Sequence, residues 1–193
     1  MNKTCKALDK ETYELIIKTI RNGFVDEEGG YEFKPNNRLA TILVVQANFG
    51  CRIIDILNLR LNDIVRENGR YHLDIVEQKT GKKRNFTVPD ELYDFLKQYV
   101  EENRINPLAK IFPVCERAVQ KQLKIVTDYL GLDGIGTHSF RKFYATSIYE
   151  LADYDITVVQ TLLQHSSVFT TQRYIGINQK KVEDVIQKHI CIA

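Results

Sequence analysis

Two-residue alternation occurs in one short part of this chain, which confines it to a mainly helical fold with a small sheet. Tyr71-His72-Leu73-Asp74-Ile75-Val76 alternates apolar and polar side chains as a half-buried strand does. Asn68-Gly69 before it is a strong turn dipeptide, Thr80-Gly81 after it turns the chain again, and Arg84 to Val88 supplies the partner strand. Pro89 closes that strand, and Asp90 is expected to N-cap a helix running to about Val100.

The remaining patterned segments follow the helical period. Asp9 can cap a helix with Tyr13, Ile16, Ile17 and Ile20 on one face. Arg38 to Asn48 is apolar almost all round, which suits a buried helix, and Gly50 ends it before a short helix from Ile53 to Leu59. Between the first two helices, Asn22 to Asn37 contains Gly23, Gly29, Gly30 and Pro35 and is expected to be a long loop. From Glu116 onward the pattern is helical, broken near Gly131–Gly136, His165–Ser167 and Gly176. The result is an α+β chain, many helices around one small antiparallel sheet.

Composition narrows function only a little. Hydrophobic residues are 44% and charged residues 27%, ordinary for a globular domain of this length. No apolar run reaches the roughly eighteen residues of a membrane span, and no apolar stretch follows the N-terminus. Cys5, Cys51, Cys115 and Cys191 are far apart, a spacing that suits reduced thiols in a cytosol better than a disulfide frame or zinc site. Net charge is +2, a weak indication for nucleic acid, although Lys79, Lys82, Lys83 and Arg84 cluster. Alone, that cluster reads as a solvated loop.

Five short segments carry unusual polar residues. In Gly50-Cys51-Arg52-Ile53-Ile54-Asp55, Arg52 follows a glycine turn at the mouth of an apolar helix, and Asp55 three residues on can hold it. Gln78-Lys79-Thr80-Gly81 puts a lysine at the entry of a hairpin. Thr137-His138-Ser139-Phe140-Arg141 projects His138 and Arg141 from one helical face. Gln164-His165-Ser166-Ser167 places a histidine just beyond an apolar helix, and Thr170-Thr171-Gln172-Arg173-Tyr174 ends in a tyrosine. Each segment alone has a bland reading: an ion pair, a surface helix start, a cap, a packed ring.

Taken in order, Arg, Lys, His-x-x-Arg, His and Tyr, with Tyr174 nine residues after His165, resemble the tyrosine recombinase (phage integrase) family. GCRIIDILNLRLNDI resembles its first arginine box, QKTGKKRNFTVP its lysine hairpin, THSFRKFYAT its histidine-arginine box and LLQHSSVFTTQRYIG its closing box. The similarity runs from about Leu8 to the C-terminus. Three departures are visible: Gln164 stands where glycine usually precedes the closing histidine, Lys142 where a histidine often follows the arginine, and Asp55 where glutamate is common. A positive φ at Gln164 would strain that turn.

The resemblance implies the catalytic-domain fold of these enzymes, with a small three-stranded antiparallel sheet, over residues 1–193 as one domain. These enzymes usually carry an upstream helical domain that clasps DNA, and this chain is expected to start after it. The implied reaction cuts and rejoins DNA through a 3′-phosphotyrosyl bond to Tyr174, with no metal, cofactor or ATP. Arg52 and Arg141 would hold the non-bridging phosphate oxygens, Lys79 would act as general acid and His138 as general base. His165 would hydrogen-bond the phosphate, Asp55 would support Arg52, and Lys82, Lys83 and Arg84 would contact DNA. The implied partners are double-stranded DNA and further copies of the chain, monomeric when free and tetrameric in a synapse, and the implied location is the cytoplasm, at the nucleoid, for a bacterial or phage-encoded protein. The helix after the tyrosine, within 177–193, would pack into a neighbouring protomer; Val182, Val185, Ile186 and Ile190 fit a fold-back on its own core equally well. A type IB topoisomerase and a catalytically silent DNA-binding relative are the competing readings.

Overall fold

Asp9 opens the first helix as its sequence suggests: its carboxylate accepts the Thr12 N–H at 2.7 Å, and α1 runs Lys10–Asn22 with Ile16, Ile17 and Ile20 buried. The structure, a computed structural model, describes residues 5–27, 29–175 and 187. It divides into two compact units, Met1–Tyr144 and Ala145–Ala193.

In the first unit, α2 (Asn37–Phe49) is buried along nearly its whole length, as its continuous apolar sequence requires. Asn36 caps it by accepting the Leu39 N–H at 3.0 Å. Gly50 ends it in the left-handed region, φ 58°, and α3 (Ile53–Asn58) follows. A single 3-10 turn, Leu61–Asp63, leads into β3 (Ile64–Glu67), β4 (Arg70–Val76) and β5 (Lys83–Val88). These three form one antiparallel sheet in the order β3-β4-β5, with Leu73 opposite Ile64 on one side and Phe86 on the other. Leu73 and Val88 face the core, while Tyr71 stacks on Tyr93 of α4 (Asp90–Glu102), ring centroids 3.8 Å apart.

Two expectations change here. The stretch expected to be a loop after α1 contains a two-stranded hairpin, β1 (Phe24–Asp26) and β2 (Tyr31–Phe33). Each strand is three residues long, too short for alternation to show. Aromatic packing holds the hairpin: Phe24 stacks between Phe33 at 5.2 Å and Tyr129 at 3.8 Å. Asp90 is not the cap of α4 but its first residue; Pro89 occupies the cap position, and the Asp90 and Glu91 carboxylates complement the positive helix end instead.

Helix α5 (Glu116–Tyr129) packs Val119, Leu123 and Val126 into the same core, and α6 (Thr137–Leu151) carries the chain on from Phe140, fully buried. The second unit contains the end of α6, then α7 (Ile156–Leu163) and α8 (Val168–Ile175). Asp155 caps α7 by accepting both the N–H and the hydroxyl of Thr157, at 2.8 and 2.6 Å. Val159 and Leu163 are buried. Residues 177–193, expected to form the exchanged helix, lie outside the described residues apart from Gln187.

Candidate active site

The C-terminal end of α2 organises the first unit's polar cluster. A helix leaves its last carbonyls without intrahelical partners, at the negative end of its dipole. Two of them are taken by buried guanidinium groups. Phe49 O accepts from Arg84 Nη2 at 3.2 Å, and Gly50 O accepts from Arg141 Nη1 at 2.6 Å. Arg84 and Arg141 are each 1% exposed. Gly50 has no alternative residue type: beyond its positive φ, a Cβ would lie 2.1 Å from the Tyr144 ring.

Arg52 stands two residues on, in extended backbone at the start of α3, and is half-buried. Its partner corrects the sequence expectation. The guanidinium pairs with Glu77 Oε2, on the segment leaving β4, not with Asp55. Asp55 Oδ1 instead accepts the backbone N–H of Gln78 at 2.9 Å, so it braces the lysine turn. Burial raises the Asp55 carboxyl above its ordinary value; the Gln78 bond opposes this, Glu77 adds to it, and Arg52 and Arg141 oppose it.

Glu77 was not singled out by sequence reasoning, yet it is the centre of the cluster. Its Oε1 accepts from Arg84 at 2.9 Å, while its Oε2 accepts from Arg52 and from the Thr80 hydroxyl at 2.8 Å. Burial alone would raise its carboxyl, but the bonds from Thr80, Arg52 and Arg84 outweigh it and bring the value down to about 2. Arg84, expected to contact DNA, is therefore an internal anchor that cannot reach a ligand: its other donor goes to Phe49, and its guanidinium lies 5.0 Å from the Phe86 ring centre. Lys82 and Lys83 are exposed as expected; the Lys83 ammonium sits 3.2 Å from Asp74 of β4.

Lys79 lies at the exposed tip of the Gln78–Thr80 turn. The turn closes through Glu77 N–H to Lys82 O at 3.0 Å and Gly81 N–H to Glu77 O at 2.9 Å. His138 and Arg141 share one face of α6 at its N-terminal end. His138 titrates below its ordinary value because of desolvation first, then Arg141; Glu116 opposes this, and Arg52 and Lys79 add to it. Arg52 and Thr80, the neighbour of Lys79, meet at Glu77, and Arg141 holds Gly50 O two residues before Arg52, so Arg52, the Lys79 turn, Arg141 and His138 share one locality.

The remaining two belong to the second unit. His165 Nδ1 lies 3.0 Å from the Thr171 hydroxyl, which is fully buried. The His165 and Tyr174 rings meet edge to face, centroids 5.2 Å apart at 68°. Gln164 adopts the left-handed conformation foreseen as a strain, φ 53°, ψ 36°. The Gln164 N–H reaches Thr161 O at 3.1 Å and the His165 N–H reaches Gln160 O at 3.1 Å, a Schellman closure that a glycine would form without the Cβ penalty.

Comparison with known proteins identifies the family and the fold. The model of the phage integrase family matches residues 6–181. The chain is 31% identical over 170 residues to the probable integrase/recombinase YoeC of Bacillus subtilis, covering 85% of this chain and 92% of that protein. It is 28% identical over 185 residues to the tyrosine recombinase XerA of Pyrococcus furiosus, covering 90% of this chain and 63% of the relative. The chain therefore spans nearly all of one relative and less than two thirds of the other. Among solved structures, XerH recombinase bound to its difH substrate after cleavage superposes with a TM-score of 0.74 at 22% identity, covering 96% of this chain and 53% of that one. The catalytic domain of bacteriophage HP1 integrase gives 0.64 at 17% identity, covering 95% and 94%. The sheet and helix order described above is thus that of tyrosine recombinase catalytic domains.

Proposed function

Because the chain belongs to the phage integrase family, we propose that it cleaves and rejoins double-stranded DNA at a specific site through a 3′-phosphotyrosyl bond to Tyr174. The observation that carries this reading is the bonded cluster that joins these groups: Arg52 and the Thr80 hydroxyl beside Lys79 share Glu77 Oε2, and Arg141, one helical turn from His138, holds Gly50 O two residues before Arg52. A phosphodiester in transfer spreads negative charge over its non-bridging oxygens. Arg52, whose guanidinium stays partly exposed, offers those oxygens charge-assisted donors, and Arg141, buried on Gly50 O, adds its positive charge from behind the site. One such donor is worth roughly 10²–10³ in rate in other enzymes.

A free tyrosine phenol, with an unperturbed pKa near 10, is a weak nucleophile at neutral pH. Tyr174 attacks phosphorus as its proton passes to His138, whose titration is lowered first by desolvation and then by Arg141. The P–O5′ bond breaks, and the departing oxygen takes a proton from Lys79 on its exposed turn. His165 donates to the phosphate through Nε2, its Nδ1 being engaged with Thr171. The phosphotyrosyl ester retains the energy of the original bond, so a 5′-hydroxyl can reverse the attack without ATP. An incoming hydroxyl from another duplex yields recombination, for which a multimeric synapse is the expected assembly. No step uses a metal ion.

The test is covalent capture. The protein, joined to any upstream segment its gene encodes, is incubated with sheared DNA from its source, denatured, and the protein-linked fragments sequenced. Adducts at one recurring site, absent from Tyr174→Phe, are the expected result. Scattered Tyr174-dependent adducts would indicate relaxation of supercoils, and no adduct from the wild type would refute the catalytic reading.

A further inference from the structure

We propose that Glu77 is a positioning residue that sets Arg52 and the Lys79 turn at one fixed spacing, using Arg84 as its anchor. This rests on the reading that Arg52 and Lys79 both act on the scissile phosphate. One carboxylate oxygen, Oε2, receives both the Arg52 guanidinium and the Thr80 hydroxyl, the latter one residue beyond Lys79. The other oxygen receives Arg84, whose second donor is tied to Phe49 at the end of α2. The backbone of Glu77 also closes the same turn at both ends, through Lys82 O and the Gly81 N–H.

The burial gradient gives the direction of this device. Glu77 and Arg84 side chains are each 1% exposed, whereas Arg52 retains 21%. Glu77 therefore cannot touch DNA, and an anion there would repel a phosphate. Its contribution reaches the substrate only through the two groups it holds. Arg52 has five donors and gives one to Glu77, which leaves the rest of its fork to be aimed. A guanidinium on a flexible stem would otherwise sample many rotamers before each encounter, as would a lysine on an untethered turn.

Shared tethering has a consequence that simple stabilisation does not. Loosening Glu77 must degrade both phosphate stabilisation and leaving-group protonation, and the two are chemically separable. A duplex with sulfur in place of the scissile 5′-bridging oxygen expels a thiolate, which needs no proton. Nicked duplexes of the site recovered by covalent capture, in oxygen and sulfur forms, would be cleaved under single-turnover conditions by wild type, K79A, T80V and E77Q. DNA affinity and thermal stability would be measured alongside.

K79A is expected to be slow on oxygen and restored on sulfur. T80V, which cuts only the turn tether, should lose about tenfold on oxygen and little on sulfur. E77Q should lose on the order of 10²-fold on oxygen, the scale of a 1 Å misplacement, with only part of that recovered on sulfur and DNA affinity within threefold of wild type. Full recovery of E77Q on sulfur would overturn the link to Arg52. No recovery, or wild-type rates in folded E77Q, would overturn the link to Lys79 or the proposal as a whole. If E77Q does not fold, T80V decides: wild-type behaviour on both substrates rejects the tether. Absence of a Tyr174 adduct from the wild type, or failure of sulfur to restore K79A, would instead refute the underlying catalytic reading.

Discussion

Replacing Gly50 with alanine is expected to be among the most damaging single-methyl additions available to this fold. Two independent penalties coincide there. The backbone holds φ 58°, ψ 17°, where a Cβ costs roughly 1–2 kcal/mol. The added methyl would also sit 2.1, 2.5 and 2.8 Å from three ring carbons of Tyr144, which is itself 8% exposed and has little freedom to retreat. Overpacking of that kind costs about 1–3 kcal/mol. Together the loss is about 2–5 kcal/mol, or a fall in melting temperature of about 2–4 °C for each kcal/mol in a chain of this size.

Gly131 supplies the control. It has the same handedness, φ 67°, in the same unit, but nothing lies within 4 Å of the Cβ position. G131A should therefore carry the backbone penalty alone. Chemical and thermal denaturation of wild type, G50A and G131A, followed by circular dichroism, would separate the two contributions. G50A must exceed G131A by at least 1 kcal/mol. Equal losses would show that Tyr144 yields freely and that the close packing of Gly50 is not a constraint. Because Gly50 O also receives Arg141, G50A should lower cleavage even at temperatures where it remains folded.

Four further outcomes follow from local geometry and charge. Q164G should relieve the left-handed strain, offset in part by glycine's extra unfolded-state entropy, for a net gain of about 0.5–1 kcal/mol; amide exchange at His165 should slow two- to fivefold, and faster exchange would contradict the reading. Glu77, lowered from 4.5 to about 2, contributes stability that is complete above pH 4.5 and lost as pH falls towards 2, on the order of 3 kcal/mol. Acid titration of E77Q should be flatter by that amount, and an unchanged acid limb would refute it. His138, held below 6.5, is neutral at pH 7, so adduct formation should stay level from pH 8 to 7 and decline only below 6.5. Since Glu116 opposes that lowering, E116Q should move the acid limb to still lower pH, and a move upward would count against the stated balance.

What the sequence conveyed, and what it withheld, divides along physical lines. Arg52, Lys79, His138, Arg141, His165 and Tyr174 could be singled out as candidates because their order and spacing resemble a family pattern, not because any was conspicuous alone. Gln164 was legible as a strain, since the turn's need for a positive φ could be stated before the angle was seen. The Arg52–Asp55 pair was wrong because helical spacing gives proximity without direction. Arg52 precedes the helix in extended backbone, so its side chain reaches across to Glu77 rather than along α3.

Glu77 and Arg84 could have been found from alternation. Leu73, Ile75 and Glu77 share one face along and beyond β4, and Leu73 is buried; Arg84, Phe86 and Val88 share one face of β5, and Val88 is buried. An acid and a base on inward faces of paired strands need each other, since an isolated buried charge is not tolerated. Reading Arg84 as part of a lysine-rich surface run ignored the face it occupies. The β1–β2 hairpin was not recoverable in this way, because three-residue strands carry no period and Phe24 meets Tyr129 only through the tertiary fold.

The charge balance of the cluster gives these details a common purpose. Arg52, Arg84 and Arg141 bring three fixed positive charges to the end of one helix, whereas the carboxyls among them are Glu77 and Asp55. Glu77 is fully ionised at neutral pH, and Asp55 is pushed towards its neutral form by burial. The carbonyls of Phe49 and Gly50 make up part of the difference with dipoles rather than charge. Holding guanidinium groups on backbone carbonyls fixes their position without cancelling their charge, which one carboxylate per arginine would do. The excess positive potential is therefore retained in a rigid, partly dry setting, where it acts more strongly than in water. A phosphodiester approaching its transition state gains negative charge on its equatorial oxygens, and a site neutralised in advance would offer it nothing.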